Sequence, residues 1–213
     1  MKFIPLRHFV PLVLKRLILS FNFRTYISFD KANAASVGYK SPLLLDSLFN
    51  DNIDRKLLSE DSYPLEAIRS LISLAGCGSS GTITVLDFGG GLGRAYYLAR
   101  KFLPSDISVK WIVVETEPLV TRAIKEGIPT SELIFVTSIE NALSYAKRFD
   151  VVYSDAAIQY TRDPMAILTE LLNLDFNRFM LTRFPVNTNS DQAHFGVQFS
   201  SLASNGEKAR HAK

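Results

Sequence analysis

With 213 residues, 47% of them hydrophobic, the chain can build one substantial core plus some added N-terminal structure. Its net charge of +3 excludes a strongly basic surface, so no nucleic-acid partner is expected. The single cysteine, Cys77, excludes an internal disulfide, no Cys/His cluster has metal spacing, and a reducing cytoplasm is the expected setting.

Residues 1–21 are apolar with Lys2, Arg7, Lys15 and Arg16 interspersed. No uninterrupted apolar run approaches the ~20 residues that span a bilayer, and no small-residue cleavage site follows, so a signal peptide is not expected. Two readings stand. The segment is an interfacial helix making peripheral contact with the inner face of a membrane, or it packs on the rest of the protein. Pro5 and Pro11 confine a continuous helix to positions after about 11.

Residues 22–78 suggest a helical lid. Ser28 and Phe29-Asp30 begin a short helix through Ala35. Gly38 suits a helix end, and Pro42 the first turn of another helix that carries Leu44, Leu45, Leu48 and Phe49. Tyr26, Gly38 and Tyr39 are either pocket residues or plain packing residues. Residues 64–74 place Leu65, Ile68, Leu71 and Ile72 on one helical face. The run G-C-G-S-S-G over 76–81 is a linker into the next strand. The expected boundaries are 1–21, a lid over 22–78, a core over 79–199, and a polar tail over 200–213 without regular structure.

The central stretch is T-I-T-V-L-D-F-G-G-G-L-G-R-A-Y-Y, residues 82–97. A short apolar run ends in four glycines out of five, and an amphipathic segment follows. That is strand, tight turn, helix. Glycines permit positive φ and close approach of a ligand to bare backbone, and the helix start offers free N–H groups. Asp87, Gly89, Gly91 and Gly93 alternate as D-x-G-x-G-x-G, whereas the dinucleotide fingerprint needs a small residue where Arg94 stands.

A helix marked by Ala95, Leu98, Ala99 and Phe102 follows, then a second buried strand over 109–115. An acid at that strand's end, Glu115, can accept hydrogen bonds from a ribose diol. A helix over 119–125, a third strand over 133–136, and a helix from Ser138-Ile139 through Ala146 come next. The fourth strand, over 150–154, ends in S-D-A-A-I-Q-Y-T-R-D-P; Asp163-Pro164 starts a helix, and a fifth strand covers 178–183. The expected fold is therefore α/β, a Rossmann-like doubly wound, mainly parallel sheet of about five strands with an N-terminal helical lid.

The alternating glycine motif resembles motif I of class I S-adenosylmethionine (SAM)-dependent methyltransferases, and E-T-E-P-L-V resembles their acidic motif II. The resemblance implies SAM as cofactor, with Asp87 near its methionine end and Gly89, Gly90, Gly91 and Gly93 making room. It implies Glu115 and Thr116 at the ribose, Ser138 at the adenine edge, and Ile139 on the purine face. Ser138 equally suits a helix cap. Ser154, Asp155 and Tyr160 would lie where the methyl group meets its acceptor. Asp155 is the candidate general base and His194 the other, although simple polar packing suits both.

Three features, G-Y-K-S-P, L-D-F-G-G-G-L-G, and the pair I-Q-Y-T-R-D-P with L-T-R-F-P-V, resemble methyltransferases predicted from bacterial O-antigen and surface-polysaccharide gene clusters. That resemblance covers about residues 22–199 and implies a small-molecule or saccharide acceptor. The 27 residues after Val186 are expected to be too few and too polar for the further helix and two strands usual in such folds. Two other functions are weighed: a non-catalytic SAM-binding scaffold, and a nicotinamide-dependent oxidoreductase, against which Arg94 argues.

Overall fold

The structure, a computed structural model, describes residues 23–36, 45–46, 81–185, 195–202 and 207–212. The readings made for residues 1–21, for Gly38 and Tyr39, for the helix over 64–74, for the 76–80 part of the linker and for His194 lie outside the described residues. The chain divides into two compact units, Leu45–Val186 and Met1–Leu44 with Asn187–Lys213.

The larger unit is built on five parallel strands: β2 (Thr82–Phe88), β3 (Ser108–Val114), β4 (Leu133–Val136), β5 (Arg148–Asp155) and β6 (Asp175–Thr182). Their order across the sheet is β4-β3-β2-β5-β6. The chain lays strands outward from β2 in one direction, then returns to β2's other side and lays two more. Right-handed crossovers taken in opposite directions put their helices on opposite faces. Thus α2 (Arg94–Phe102) and α3 (Glu117–Lys125) cover one face, through Ala95, Leu98 and Ala99 and through Leu119, Val120 and Ala123. The other face is covered by α4 (Ile139–Ala142) and α5 (Pro164–Leu172), through Ile139, Ala142 and Leu171.

Strand side chains alternate between these two cores. Val85, Trp111 and Val113 enter the first, while Leu86, Ile112 and Val114 enter the second. Burial on both faces explains why β2 and β3 read as nearly continuous apolar runs. Each such aliphatic side chain contributes about 1.5–3 kcal/mol on removal from water. Strand register is parallel throughout, with Leu86 opposite Ile112 on one side and Val152 on the other.

The helix starts follow local chemistry. Asp163 accepts a hydrogen bond from the Ala166 N–H at 2.9 Å, and Pro164 occupies the first turn of α5. Ser138 caps α4 by accepting from the Asn141 N–H at 3.1 Å. α4 stops at Ala142, short of the expected Ala146. There the Ser144 hydroxyl donates to the Asn141 carbonyl at 2.7 Å, a local bond that competes with helix continuation.

In the smaller unit, β1 (Phe23–Tyr26) pairs antiparallel with β7 (Phe195–Leu202), which pairs antiparallel with β8 (Glu207–Ala212). The helix read from Ser28 is α1 (Phe29–Ala34), with Ser28 as its cap. Phe29 meets the Phe195 ring edge-on at 6.4 Å. Two expectations are corrected. The tail over 200–213 was read as lacking regular structure, yet Ser200–Leu202 extend β7 and Glu207–Ala212 form β8. Backbone ladder bonds form whatever the side chains, so a polar segment serves once a partner strand is present. The core was also expected to run to 199, but β7 pairs with β1, and residues from Asn187 onward group with the smaller unit.

Candidate active site at the sheet reversal

Strand order reverses between β2 and β5, and at such a point the two outgoing turns diverge and leave a crevice at the carboxyl ends. The glycine turn lies there. Gly89, Gly91 and Gly93 have φ of 72°, 60° and 80°, the left-handed region that side chains resist. Gly89 donates its N–H to the Val114 carbonyl at 2.9 Å, which hangs the turn on β3. A side chain at Gly89 would collide with the Ala157 methyl group, and one at Gly90 with the Asp87 carboxylate. At Gly93 it would meet Leu133 at 2.9 Å. Gly91 differs, since an added Cβ would find nothing within 4 Å. Three of the four glycines are required by packing, and Gly91 faces open space.

Glu115, just past β3, stands beside Gly91. Its Oε1 accepts the Gly91 N–H at 3.1 Å and its Oε2 accepts the Thr116 N–H at 2.8 Å. Burial pushes its pKa up, and these two backbone bonds oppose the rise. A carboxylate oxygen has more than one acceptor position, so both oxygens keep capacity for a ligand's hydroxyl groups. Thr116 itself is exposed at the start of α3, its backbone rather than its hydroxyl engaged with Glu115.

Asp87 does not face this space. It is 1% exposed on the core side of the turn, where its Oδ2 accepts the Trp111 Nε1–H at 2.9 Å. Burial raises its pKa to about 7; the Trp111 bond lowers it, while the charges of Glu115 and Asp155 raise it further. The expected placement near a cofactor's methionine end is therefore corrected to support of the turn from below. Gly90 is glycine because this carboxylate fills the space a methyl group would need.

At the end of β5, Ser154 is fully buried and donates to the Phe88 carbonyl at 3.1 Å, tying β5 to β2 at the turn. Asp155 is clamped. Its Oδ1 accepts the Thr182 hydroxyl at 2.6 Å and the Arg183 Nε–H at 2.7 Å, and its Oδ2 accepts from the second Arg183 nitrogen at 2.6 Å. Both oxygens of the expected general base are thus already engaged by neighbouring side chains. The residues that follow these strands, Ala156 and Arg183, have φ of 52° and 54° without being glycine. The Ala156 N–H donates to the Thr182 carbonyl at 3.0 Å, so the clamp and this bond together hold two strained turns side by side.

Ser138 serves as the α4 cap. Ile139 is 4% exposed within the second core, so it does not offer a free apolar face to a purine. Tyr160 closes a 3-10 turn, Ile158–Tyr160, whose first residue is fully buried. Sequence reasoning missed Trp111, Arg183 and Ala157. Only Arg183 carried a local signal, in L-T-R-F-P-V.

The residues present fit a nucleoside with a cationic end. The backbone at Gly91 is bare and Glu115 offers acceptors beside it for a ribose diol.

No protein-family model matches the chain, and no curated protein matches it. Solved structures do. One is the plantazolicin methyltransferase BpumL with SAH and a triazolic desmethylPZN analog, at 26% identity over 62% of this chain and 52% of that chain, with a TM-score of 0.39. A second is a Haloferax volcanii complex of the Trm112 methyltransferase activator with a methyltransferase, at 22% identity over 60% and 53%, TM-score 0.40. A third is a SAM-dependent methyltransferase from Thiobacillus denitrificans with S-adenosyl-L-homocysteine, at 19% identity over 56% and 48%, TM-score 0.38. The chain thus spans about half the length of these structures. At these TM-scores the likeness does not assign an activity. The five-stranded parallel sheet with helices on both faces is in any case the Rossmann-like fold expected from the sequence.

Proposed function

We propose that the chain binds SAM at the turn after β2 and is a SAM-dependent methyltransferase. The observation that carries this reading is the Gly91–Glu115 bond. It puts a carboxylate with spare acceptor capacity beside bare backbone that faces open space at Gly91.

When bound, SAM supplies a methyl carbon activated by the adjoining sulfonium. The protein's own part is to hold and to exclude. Glu115 would accept from the ribose diol and the bare backbone at Gly91 would admit the nucleoside against the main chain. Gly89 and Ala157, packed together, bring the turn after β5 against the turn after β2, so groups on the β5 turn would be within reach of a ligand held at the glycine turn. Orientation of two reactants accounts for a large part of the acceleration in such displacements.

The acceptor we favour is a saccharide hydroxyl of a surface-polymer precursor. Its support is the sequence resemblance of the glycine, I-Q-Y-T-R-D-P and L-T-R-F-P-V segments. A second reading, a SAM-binding scaffold without turnover, gains from the clamp on Asp155, which removes the base expected there. The nicotinamide reading is disfavoured by the carboxylate-rich surroundings.

Calorimetry with S-adenosylhomocysteine (SAH) and with NAD tests the cofactor, with binding of SAH and none of NAD expected. The reverse result overturns the reading. A gain of one methyl mass on a precursor glycan separates the enzyme from the scaffold.

A further inference from the structure

Supporting the glycine turn does not by itself call for an acid at Asp87. An asparagine oxygen would accept the Trp111 Nε1–H as well, without the cost of burying an ionisable group. What aspartate adds is a charge that can come and go.

Its surroundings leave that charge unbalanced. Trp111 on β3 gives one neutral N–H, and Tyr153, opposite Asp87 on β5, enters the same core. From α2, the Tyr96 ring meets Trp111 edge-on with centroids 6.1 Å apart. Among the described residues, the charges acting on Asp87 are Glu115, past β3, and Asp155, at the end of β5. Both are acids, and Arg183 is paired with Asp155. Burial, with these two charges, holds the Asp87 pKa at about 7.

The carboxylate is also close to the open backbone. The Asp87 Oδ2 lies 2.4 Å from where a Cβ on Gly90 would stand, and Gly91 is the next residue. One bond and one Cα step further bring the Gly91 Cα no more than about 8 Å from that oxygen. Glu115 accepts the Gly91 N–H, and in SAM the sulfur is bonded to the 5′ carbon of the ribose. A ribose at Glu115 therefore holds the sulfonium on the order of 10 Å from Asp87. At that separation and an effective dielectric near about 20, one charge pair changes affinity by roughly tenfold.

We propose that Asp87 is a specificity-determining residue whose ionisation lets the site prefer the positively charged cofactor over its neutral thioether counterpart. The assignment rests on the SAM reading above. Its direction is fixed by linkage. SAM favours the ionised carboxylate, so SAM binding draws the proton off Asp87, and raising the pH strengthens SAM relative to SAH. SAH carries no charge on sulfur and leaves the proton where it is.

The test compares SAM and SAH affinities by calorimetry at pH 6 and pH 8, on the full chain and on Asp87→Asn. In the unaltered protein the SAM-to-SAH affinity ratio should rise about three- to tenfold between the two pH values. Asp87→Asn keeps whatever change the ligands' own amino groups cause, and the rise due to Asp87 should be gone. A second measurement needs no variant. Trp111 is the chain's only tryptophan and donates to Asp87, so its emission follows that proton. The emission midpoint should lie near pH 7 without ligand, as the Asp87 pKa does. It should fall by about half a pH unit or more with saturating SAM and not with SAH. A flat ratio, or a rise that persists in Asp87→Asn, overturns the proposal. So does an emission that shows no transition, or a midpoint that both ligands move alike. Binding of both ligands with a flat ratio leaves the SAM reading standing and removes only this assignment. If the unaltered protein binds neither ligand at either pH, the SAM reading fails and this assignment goes with it.

Discussion

The Gly91 amide donates to the Glu115 Oε1 across 3.1 Å, joining the turn that ends β2 to the tip of β3. The two residues are 24 positions apart, and only the parallel pairing of β2 with β3 brings them together. Glu115→Gln keeps an acceptor for Gly91 and removes the charge. SAH affinity should fall by roughly tenfold or more, the scale of a charge-assisted hydrogen bond. Stability should fall by about 1–3 kcal/mol, because the glutamine NH2 meets the Thr116 N–H where the carboxylate Oε2 accepted it. Calorimetry and a thermal melt on one preparation check both halves.

Asp87 makes stability depend on pH in a defined direction. Its folded pKa of about 7 lies above the ordinary 3.8, so the folded protein holds a proton that the unfolded chain releases. Its contribution to stability is therefore full below about pH 4 and declines as pH rises to about 7. Asp87→Asn keeps an acceptor for the Trp111 indole and cannot ionise. The variant should match the parent near pH 5 and exceed it near pH 8. Denaturant midpoints at the two pH values measure this; a gap that shrinks with rising pH would contradict it.

Gly90 and Gly91 should respond to the same substitution for different reasons. Gly90→Ala drives a methyl group into the Asp87 carboxylate, so it should lower stability by about 1–3 kcal/mol as an overpacking change. Gly91→Ala meets no atom, and its cost is the left-handed backbone, about 1–2 kcal/mol. Its larger effect should fall on SAH affinity, because the methyl group enters the space a ligand would use. Melting curves with and without SAH separate the two.

Arg183→Met should remove the two guanidinium hydrogen bonds from the Asp155 carboxylate, whose side chain is 5% exposed. The expected loss is about 1–3 kcal/mol at neutral pH. Equilibrium unfolding at pH 7 tests this, and an unchanged midpoint would argue against the clamp.

The fold was legible where it depended on local pattern. The run from Thr82 to Phe88 announced a buried strand, and Asp163-Pro164 announced a helix start. The acids were legible by position but not by environment. Asp87 belongs beneath the turn because Trp111, on the neighbouring strand, holds it there. Asp155 is neutralised by Arg183, 28 residues onward, and only the β5–β6 pairing brings the two together. The strands of the polar end were missed because backbone pairing with β1 leaves no hydrophobic alternation to read.

The glycine bend is fastened from three directions before any visitor arrives: Gly89 to Val114, Gly91 to Glu115, and Phe88 to Ser154. Little ordering of this segment then remains to be done on association. Deuterium uptake at the Gly89 and Gly91 amides should already be slow in the empty protein and change little on saturation. Discrimination among visitors must then come from side chains around the bend rather than from the bend itself.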